Sequence, residues 1–296
     1  MRLLAAPFHI FRAIWQAMAV IRKFKPNVVL GMGGFAAGPG GIAAWLLNVP
    51  VVIHEQNAVP GVTNKILSRV AKRLLVGFKQ SFSGNDKAKW VGNPVRKEFS
   101  EVGELQGQNR QLHILVVGGS LGAQCLNQYV PEALKALQNE SLLDGVVVHH
   151  QCGKGNQQQV SDRYQALLTG TCDWQVMDFI DDMVSAYQWA DVIICRAGAL
   201  TVSEVAAAGR CAIFVPLPHA VDDHQTLNAR SLVDNQAGLL LPQTELKAGK
   251  LPEMLKELIS TPDQVVELAK KAKSLAKTDA TEQVARVCVE LSEVGA

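Results

Sequence analysis

Short β-branched runs, glycine-containing turns and apolar-periodic stretches follow one another along the chain in a repeating order. A run at 27–30 leads into GMGGFAAGPGG and an apolar stretch at 42–47, and 51–54 form the next run. A run at 113–117 leads into GGSLGA and a helical periodicity reaching Leu137; a run at 146–150, a helix at 157–168 and a run at 174–177 come next. Residues 191–195 lead into RAGALTVSEVAAAG, and 211–215 into PLPHAVDDHQTLNA. Strands alternating with helices predict parallel sheets covered on both faces. The stretch 103–111 has no apolar periodicity and reads as a linker, while EMLKELIS and QVVELAKKAKSLAK beyond Pro252 predict amphipathic helices.

The first helical stretch is apolar over more of its circumference than a core-facing helix needs. At 100° per residue, Leu3, Ile10, Ile14, Ala17 and Ile21 form one stripe, and Leu4, Phe8, Phe11, Trp15 and Met18 the adjacent one. Deep burial explains such an arc, and so does a patch that touches a membrane. Charge tilts the balance towards the membrane. Residues 1–100 hold 14 Lys and Arg against only Glu55, Asp86 and Glu98, a net +11, whereas residues 101–296 hold 15 basic against 24 acidic groups, a net −9. A first part this basic suits an anionic partner: nucleic acid, acidic lipid or a pyrophosphate-bearing substrate. Its aromatic residues follow helical apolar spacing rather than a base-stacking platform, so nucleic acid is not the expected partner.

At 296 residues the length suggests two domains. The six cysteines form no C-x-x-C pair, so neither a disulfide framework nor a zinc site is written here. The uncharged stretch 26–53 is long enough to span a bilayer, yet its six glycines and three prolines favour a strand, loop and helix.

Glycine-rich turns between a parallel strand and a helix put backbone N–H groups at the positive end of the helix dipole, where only glycine lets a phosphate approach. Gly118, Gly119, Ser120 and Gly122 form one such turn, with the serine hydroxyl as an extra donor. In the other, Gly31, Gly33 and Ala36 satisfy G-x-G-x-x-A, with Glu55 ending the next strand where a ribose-binding acid belongs, so a nicotinamide oxidoreductase is a competing reading. That loop is expected to run on through Gly38, Pro39, Gly40 and Gly41. In RAGALTVSEVAAAG, Gly198 and Ala199 leave room for a ligand, and Thr201 and Ser203 offer hydroxyls. Glu204, expected in the first helical turn, has the chemistry to accept two bonds from ribose hydroxyls or to act as a helix-capping carboxylate. His219, Asp222, Asp223, His224 and Gln225 are open to a metal or to a sugar-reading cluster. His54 and Glu55 are open to a proton-transfer role or to a satisfied strand end.

Taken together, GMGGFAAGPGG, HEQNAVPGVTNK, GNPVR, GGSLGA, FIDDM, CRAGALTVSEVAAAG and DDHQTLNA closely resemble the MurG family of bacterial N-acetylglucosamine transferases. The resemblance implies an α/β protein of the GT-B glycosyltransferase class, two Rossmann-like domains with parallel sheets, the N-terminal one incomplete. Residues 1–102 are expected to form a partial acceptor- and membrane-side domain, 103–111 a linker and 112–262 the UDP-N-acetylglucosamine domain. Helices in 263–296 are expected to return towards the first domain. The implied reaction is inverting transfer of N-acetylglucosamine from UDP-N-acetylglucosamine to the C4 hydroxyl of undecaprenyl-pyrophosphoryl-N-acetylmuramyl-pentapeptide, turning lipid I into lipid II for peptidoglycan, with links to cell shape and division.

Position by position, the resemblance puts Ser120 on the donor diphosphate, the backbone of Ile180 on uracil, and Ala199, Leu200, Thr201, Val202, Ser203 and Glu204 along the nucleotide, with Glu204 on the ribose. It puts Gln225 on the sugar hydroxyls, Asn57 on the donor sugar from the other domain, and Arg96 on the nucleotide. Leu4, Phe8, Phe11, Trp15 and Trp45 would rest on the anionic cytoplasmic face of the inner membrane. No cofactor or metal is implied, since amides and dipoles can hold the diphosphate, and no residue is assigned as the general base. Family members begin with a GGTGGH-type turn and further βα structure, about two units or 60–70 residues, that has no counterpart before Met1. An idle UDP-sugar-binding remnant, or one subunit of a split transferase, is therefore the alternative expectation.

Overall fold

The computed structural model describes residues 2–294 apart from 107–110, 171 and 219–222, with side chains described from 8 to 293. The chain divides into two compact units, Met1–Pro94 with Lys277–Ala296, and Val95–Ala276.

The first unit contains α1 (Arg2–Phe24), β1 (Val29–Gly31), α2 (Gly34–Leu46), β2 (Val51–Glu55), α3 (Val62–Leu67), β3 (Arg73–Val76), β4 (Ala88–Trp90) and α12 (Ala280–Val294). Its four strands are parallel in the order β1-β2-β3-β4. Strand β2 is buried along its whole length, and its side chains alternate between two apolar layers. Val51 and Ile53 join Leu74, Val76, Ala43, Ala44 and Ile21 on one face. Val52 and Leu75 meet Val284, Val287 and Leu291 of α12 on the other, a spacing that makes one helical stripe.

Helix α1 resolves the ambiguity of its sequence by splitting its apolar arc. Ile14, Ala17, Met18 and Ile21 face the core. Phe8, Ile10, Phe11 and Trp15 remain exposed, as do Phe35, Trp45 and Leu46 of α2. The expected long glycine loop is corrected: α2 is helical from Gly34, straight through Pro39. The reason is packing. Side chains of α3 press on the helix where it has none, a Cβ on Gly38 meeting Thr63 at 3.3 Å and one on Gly41 meeting Leu67 at 2.7 Å. That close approach outweighs the low helix propensity of glycine and proline.

The second unit contains β5 (Leu112–Val117), α4 (Gln124–Asn139), β6 (Val146–Gln151), α5 (Gln157–Leu167), β7 (Asp173–Met177), α6 (Met183–Trp189), β8 (Val192–Cys195) and α7 (Ala199–Ala208). It continues with β9 (Cys211–Phe214), α8 (His224–Val233), β10 (Leu239–Leu240), α9 (Gln243–Lys247), α10 (Leu251–Ser260) and α11 (Pro262–Ser274). Six parallel strands run in the order β10-β9-β8-β5-β6-β7. The chain leaves β5 in one direction and resumes on its other side at β8, so the strand order reverses between these two. Open α/β sheets bind ligands at such a reversal, outside the carboxyl ends of the strands.

The division lies at Pro94 and Ala276, not at the 103–111 segment, of which 107–110 fall outside the described residues. Residues 95–102 belong to the second unit because Phe99 packs edge-on against Tyr187, ring centroids 5.1 Å apart. Arg210, 2% exposed, donates to the carbonyls of Tyr187 (2.7 Å), Gly103 (3.0 Å) and Ala208 (3.1 Å). A cation at the carboxyl ends of α6 and α7 satisfies carbonyls that the helices cannot. Lys273 of α11 does the same for Ala207 (2.6 Å) and Ser100 (2.8 Å), so α11 stays with the second unit while α12 joins the first.

Candidate functional site

The turn after β5 lies at the strand-order reversal, folded against the end of β6. Gly122, at φ +77°, has its missing Cβ 2.1 Å from the Cys152 carbonyl, and the one missing from Gly153 would stand 2.2 Å from the Gly122 nitrogen. No side chain fits at either place. Within the turn, the Gly122 N–H donates to Gly119 O (2.8 Å) and the Gly119 N–H to Gln151 Oε1 (2.9 Å). The amides of Ser120, Leu121, Ala123 and Gln124 have no acceptor among the described residues, and α4 has no side-chain cap. An exposed Ser120 therefore stands among unsatisfied donors at a helix N-terminus, the arrangement that takes a phosphate.

Beyond β8, Gly198 caps α7 and Ala199 begins it, both against the same edge of the sheet. Ala199 and Val202 are buried, Leu200 is exposed, and Thr201 is half-buried. The Ser203 hydroxyl donates back to Ala199 O (2.9 Å). Glu204 lies in the second turn of α7 rather than the first, which removes the helix-capping explanation of it. Among the described residues none donates a hydrogen bond to it, and burial pushes its carboxyl up to about 7 against the opposing pull of the Arg96 guanidinium. Arg96 lies over the Phe99 ring, Cζ 5.0 Å from its centroid, which places its charge in this unit near Glu204 and Asp182.

Ile180 is half-buried in the loop after β7, beside an exposed Phe179. Gln225, in α8, accepts the Leu217 N–H (2.9 Å) through Oε1 and lines a cavity of about 520 Å³ with Gly122, Gln124, Arg196 and Lys247. Arg196, half-buried, donates among the described residues to neutral acceptors: Val215 O (3.1 Å), Pro216 O (3.0 Å) and Gln243 Oε1 (2.8 Å). His219 and Asp222 lie outside the described residues. Among the described residues no group of His, Cys, Asp and Glu has metal-binding geometry.

In the first unit, Asn57 follows β2 and donates to Glu55 Oε1 through its N–H (2.9 Å) and Nδ2 (3.4 Å). Glu55 Oε2 accepts from Gly61 N–H (3.0 Å) and Asn64 Nδ2 (2.8 Å). With both oxygens bonded to the loop and helix that follow β2, Glu55 is not a ribose acceptor, and the nicotinamide reading loses its acid. His54 is fully buried, its Nε2 2.8 Å from Gly92 O, and burial lowers its pKa. The neutral ring is thus a structural donor.

Sequence reasoning missed Gln151 and Asn228. The Asn228 side chain is fully buried and donates to Ala197 O (3.2 Å), steadying the turn before α7. A polar residue closing an apolar strand beside a glycine turn was the available sign of Gln151.

Residues 113–284 match the glycosyltransferase family 28 C-terminal domain and residues 1–76 its N-terminal domain. The UDP-N-acetylglucosamine--N-acetylmuramyl-(pentapeptide) pyrophosphoryl-undecaprenol N-acetylglucosamine transferase of Pseudoalteromonas atlantica is 52% identical, over 99% of this chain and 79% of its own. The same enzyme of Shewanella loihica is 53% identical over 98% and 79%. The crystal structure of Acinetobacter baumannii MurG superimposes with a TM-score of 0.83 at 43% identity, covering 97% of this chain and 80% of that one. UDP-GlcNAc 2-epimerase from Neisseria meningitidis, bound to UDP-GlcNAc, shares the fold at 12% identity with a TM-score of 0.64.

Proposed function

Because the chain belongs to glycosyltransferase family 28, we propose that it transfers N-acetylglucosamine from UDP-N-acetylglucosamine to undecaprenyl-pyrophosphoryl-N-acetylmuramyl-pentapeptide, the step that makes lipid II for peptidoglycan. The observation that carries the reading is Glu204, a half-buried carboxylate that accepts no hydrogen bond among the described residues, on the ligand-binding edge of the second unit. The vicinal hydroxyls of a ribose supply the missing donors.

In this reading the donor diphosphate lies on the free amides of Ser120, Leu121, Ala123 and Gln124 and on the Ser120 hydroxyl. Ala199, Leu200, Thr201, Val202 and Ser203 line the nucleotide, the Ile180 backbone meets uracil, and Arg96 supplies positive charge beside it. Gln225 reads sugar hydroxyls, and Asn57, held by Glu55, also serves the donor sugar. The acceptor C4 hydroxyl attacks the anomeric carbon, the glycosidic bond to UDP breaks, and configuration inverts. Amides aimed at the diphosphate stabilise the negative charge that develops on the leaving group, without reorganising as they do so. Neither His54, turned into the core, nor Glu55, saturated by its loop, is free to take the hydroxyl proton.

The first unit is the membrane-facing part. Phe8, Phe11, Trp15 and Trp45 are exposed with Arg12, Arg22 and Lys23 on the same helix pair; the Leu4 side chain lies outside the described residues. Aromatic side chains beside basic ones suit an anionic headgroup region, and we place the chain at the cytoplasmic face of the inner membrane. Among the described residues no helix is long and apolar enough to cross a membrane.

Calorimetric titration with UDP-N-acetylglucosamine, against UDP-glucose and NADH, tests the donor site, and transfer to the lipid acceptor tests the reaction. Selective binding with turnover is expected. Selective binding without turnover would identify an idle nucleotide-sugar-binding chain, and no binding by the folded chain would reject the site.

A further inference from the structure

Gln151 lies beneath the site and does not reach its surface. It ends β6, is 3% exposed, and its side-chain amide is bonded at both ends. Oε1 accepts the Gly119 N–H at 2.9 Å, while Nε2 donates to Gly119 O at 2.9 Å and to Asp178 O at 2.9 Å. One side chain thus holds both polar groups of a residue in the glycine turn and the first carbonyl of the loop that carries Ile180. The sheet order explains why the position is special. The turn follows β5, the loop follows β7, and β6 lies between them.

We propose that Gln151 is a positioning residue that couples the diphosphate turn to the base-reading loop, so that a ligand ordering one tightens the other; this rests on the UDP-sugar site proposed above. The chemistry is particular to glutamine. Glutamate can accept from Gly119 but cannot donate to two carbonyls, and methionine fills the space while making none of the three bonds. Both ends of the coupling are part-buried backbone groups held by one buried side-chain amide, so removing that amide releases the turn and the loop from one another. Gln151 also fixes which amides meet the ligand: by occupying the Gly119 N–H it presents Ser120 and Leu121 instead.

The test is a double-mutant cycle on UDP affinity, Ser120→Ala with Ile180→Gly, in the parent and in Gln151→Met. In the parent the two effects should be non-additive by threefold or more. In Gln151→Met, UDP affinity should fall tenfold or more and the two effects should add. Coupling that persists in Gln151→Met, or UDP affinity within twofold of the parent, would overturn the proposal. A parent that fails to bind UDP would instead reject the site. The parent alone supplies a second test that does not depend on the variant folding. Pyrophosphate should slow amide hydrogen exchange in 178–182 as well as in 118–124, and uridine should slow both; protection confined to the segment each ligand touches would refute the coupling.

Discussion

Glu55 in the first unit, buried, and Glu204 in the second, half-buried, are both carboxylates near the carboxyl edge of a parallel sheet, yet their surroundings differ in kind. Glu55 accepts from Asn57 and Gly61 in the loop that follows β2 and from Asn64 in α3. Glu204 accepts from none of the described residues, and its carboxyl is pushed up to about 7 by burial. A carboxylate whose donors are supplied locally holds the fold together. One that is partly desolvated and not engaged by its own fold is available to a ligand that brings donors. Both look like ribose-binding acids in sequence, and the hydrogen-bond partners separate them.

The sharpest way to break this contrast is Glu55→Ala, which strands at least three donors. It should lower unfolding free energy by about 4 kcal/mol, at 1–3 kcal/mol per orphaned group with partial rescue by water; denaturant unfolding checks this, and a loss below 1 kcal/mol would contradict the structural role. Next, changing Phe8, Phe11 and Trp15 together to serine should weaken partition onto anionic vesicles by about 3 kcal/mol, taking each ring as half-buried in the interface. The dissociation constant for UDP-N-acetylglucosamine should not move. Equal sedimentation of parent and variant with vesicles would leave the patch without a partner.

Glu204→Ala should weaken donor binding by about 2 kcal/mol, within the range for hydrogen bonds to a charged group, with little cost in stability. An unchanged dissociation constant in calorimetry would remove Glu204 from the ribose site. The smallest effect is in pH. Only ionised Glu204 can accept both ribose hydroxyls, so donor affinity should be flat above about pH 7 and fall towards tenfold weaker per pH unit below it. Because the folded-state pKa is raised, the same carboxylate destabilises the free chain above pH 7, and that penalty fades on acidification. Glu204→Gln should therefore raise the thermal midpoint at pH 8 and abolish the pH dependence of binding. A Glu204→Gln binding curve that still bends near pH 7 would assign the titration elsewhere.

The second unit was largely legible because its chemistry follows its punctuation. The turn with Ser120 and the Ala199–Glu204 segment each sit where a β-branched run stops and a helix begins, and the strand order makes them neighbours. The first unit was less so. Pro39 and its flanking glycines read as loop because their helix is held by contacts with Thr63 and Leu67 that no local propensity encodes. Strand β4 has three residues, too few to show a period. Residues 95–102 carry no periodicity to announce which unit they join; Phe99 on Tyr187 and Arg210 on Gly103 decide it. Gln151 gave only the faint sign of a polar residue closing an apolar strand, because its importance lies in reaching two loops at once.

Helix α12 covers one face of the first unit's sheet, with Val284, Val287 and Leu291 on Val52 and Leu75. A ribosome makes the four strands of that sheet early and α12 only after the entire second unit has emerged. The second unit can therefore collapse on its own schedule, whereas the first waits through that interval with an apolar sheet face uncovered, an invitation to chaperones and to aggregation. The order of synthesis and the order of completion are thus opposite in this chain: the part begun first is finished last.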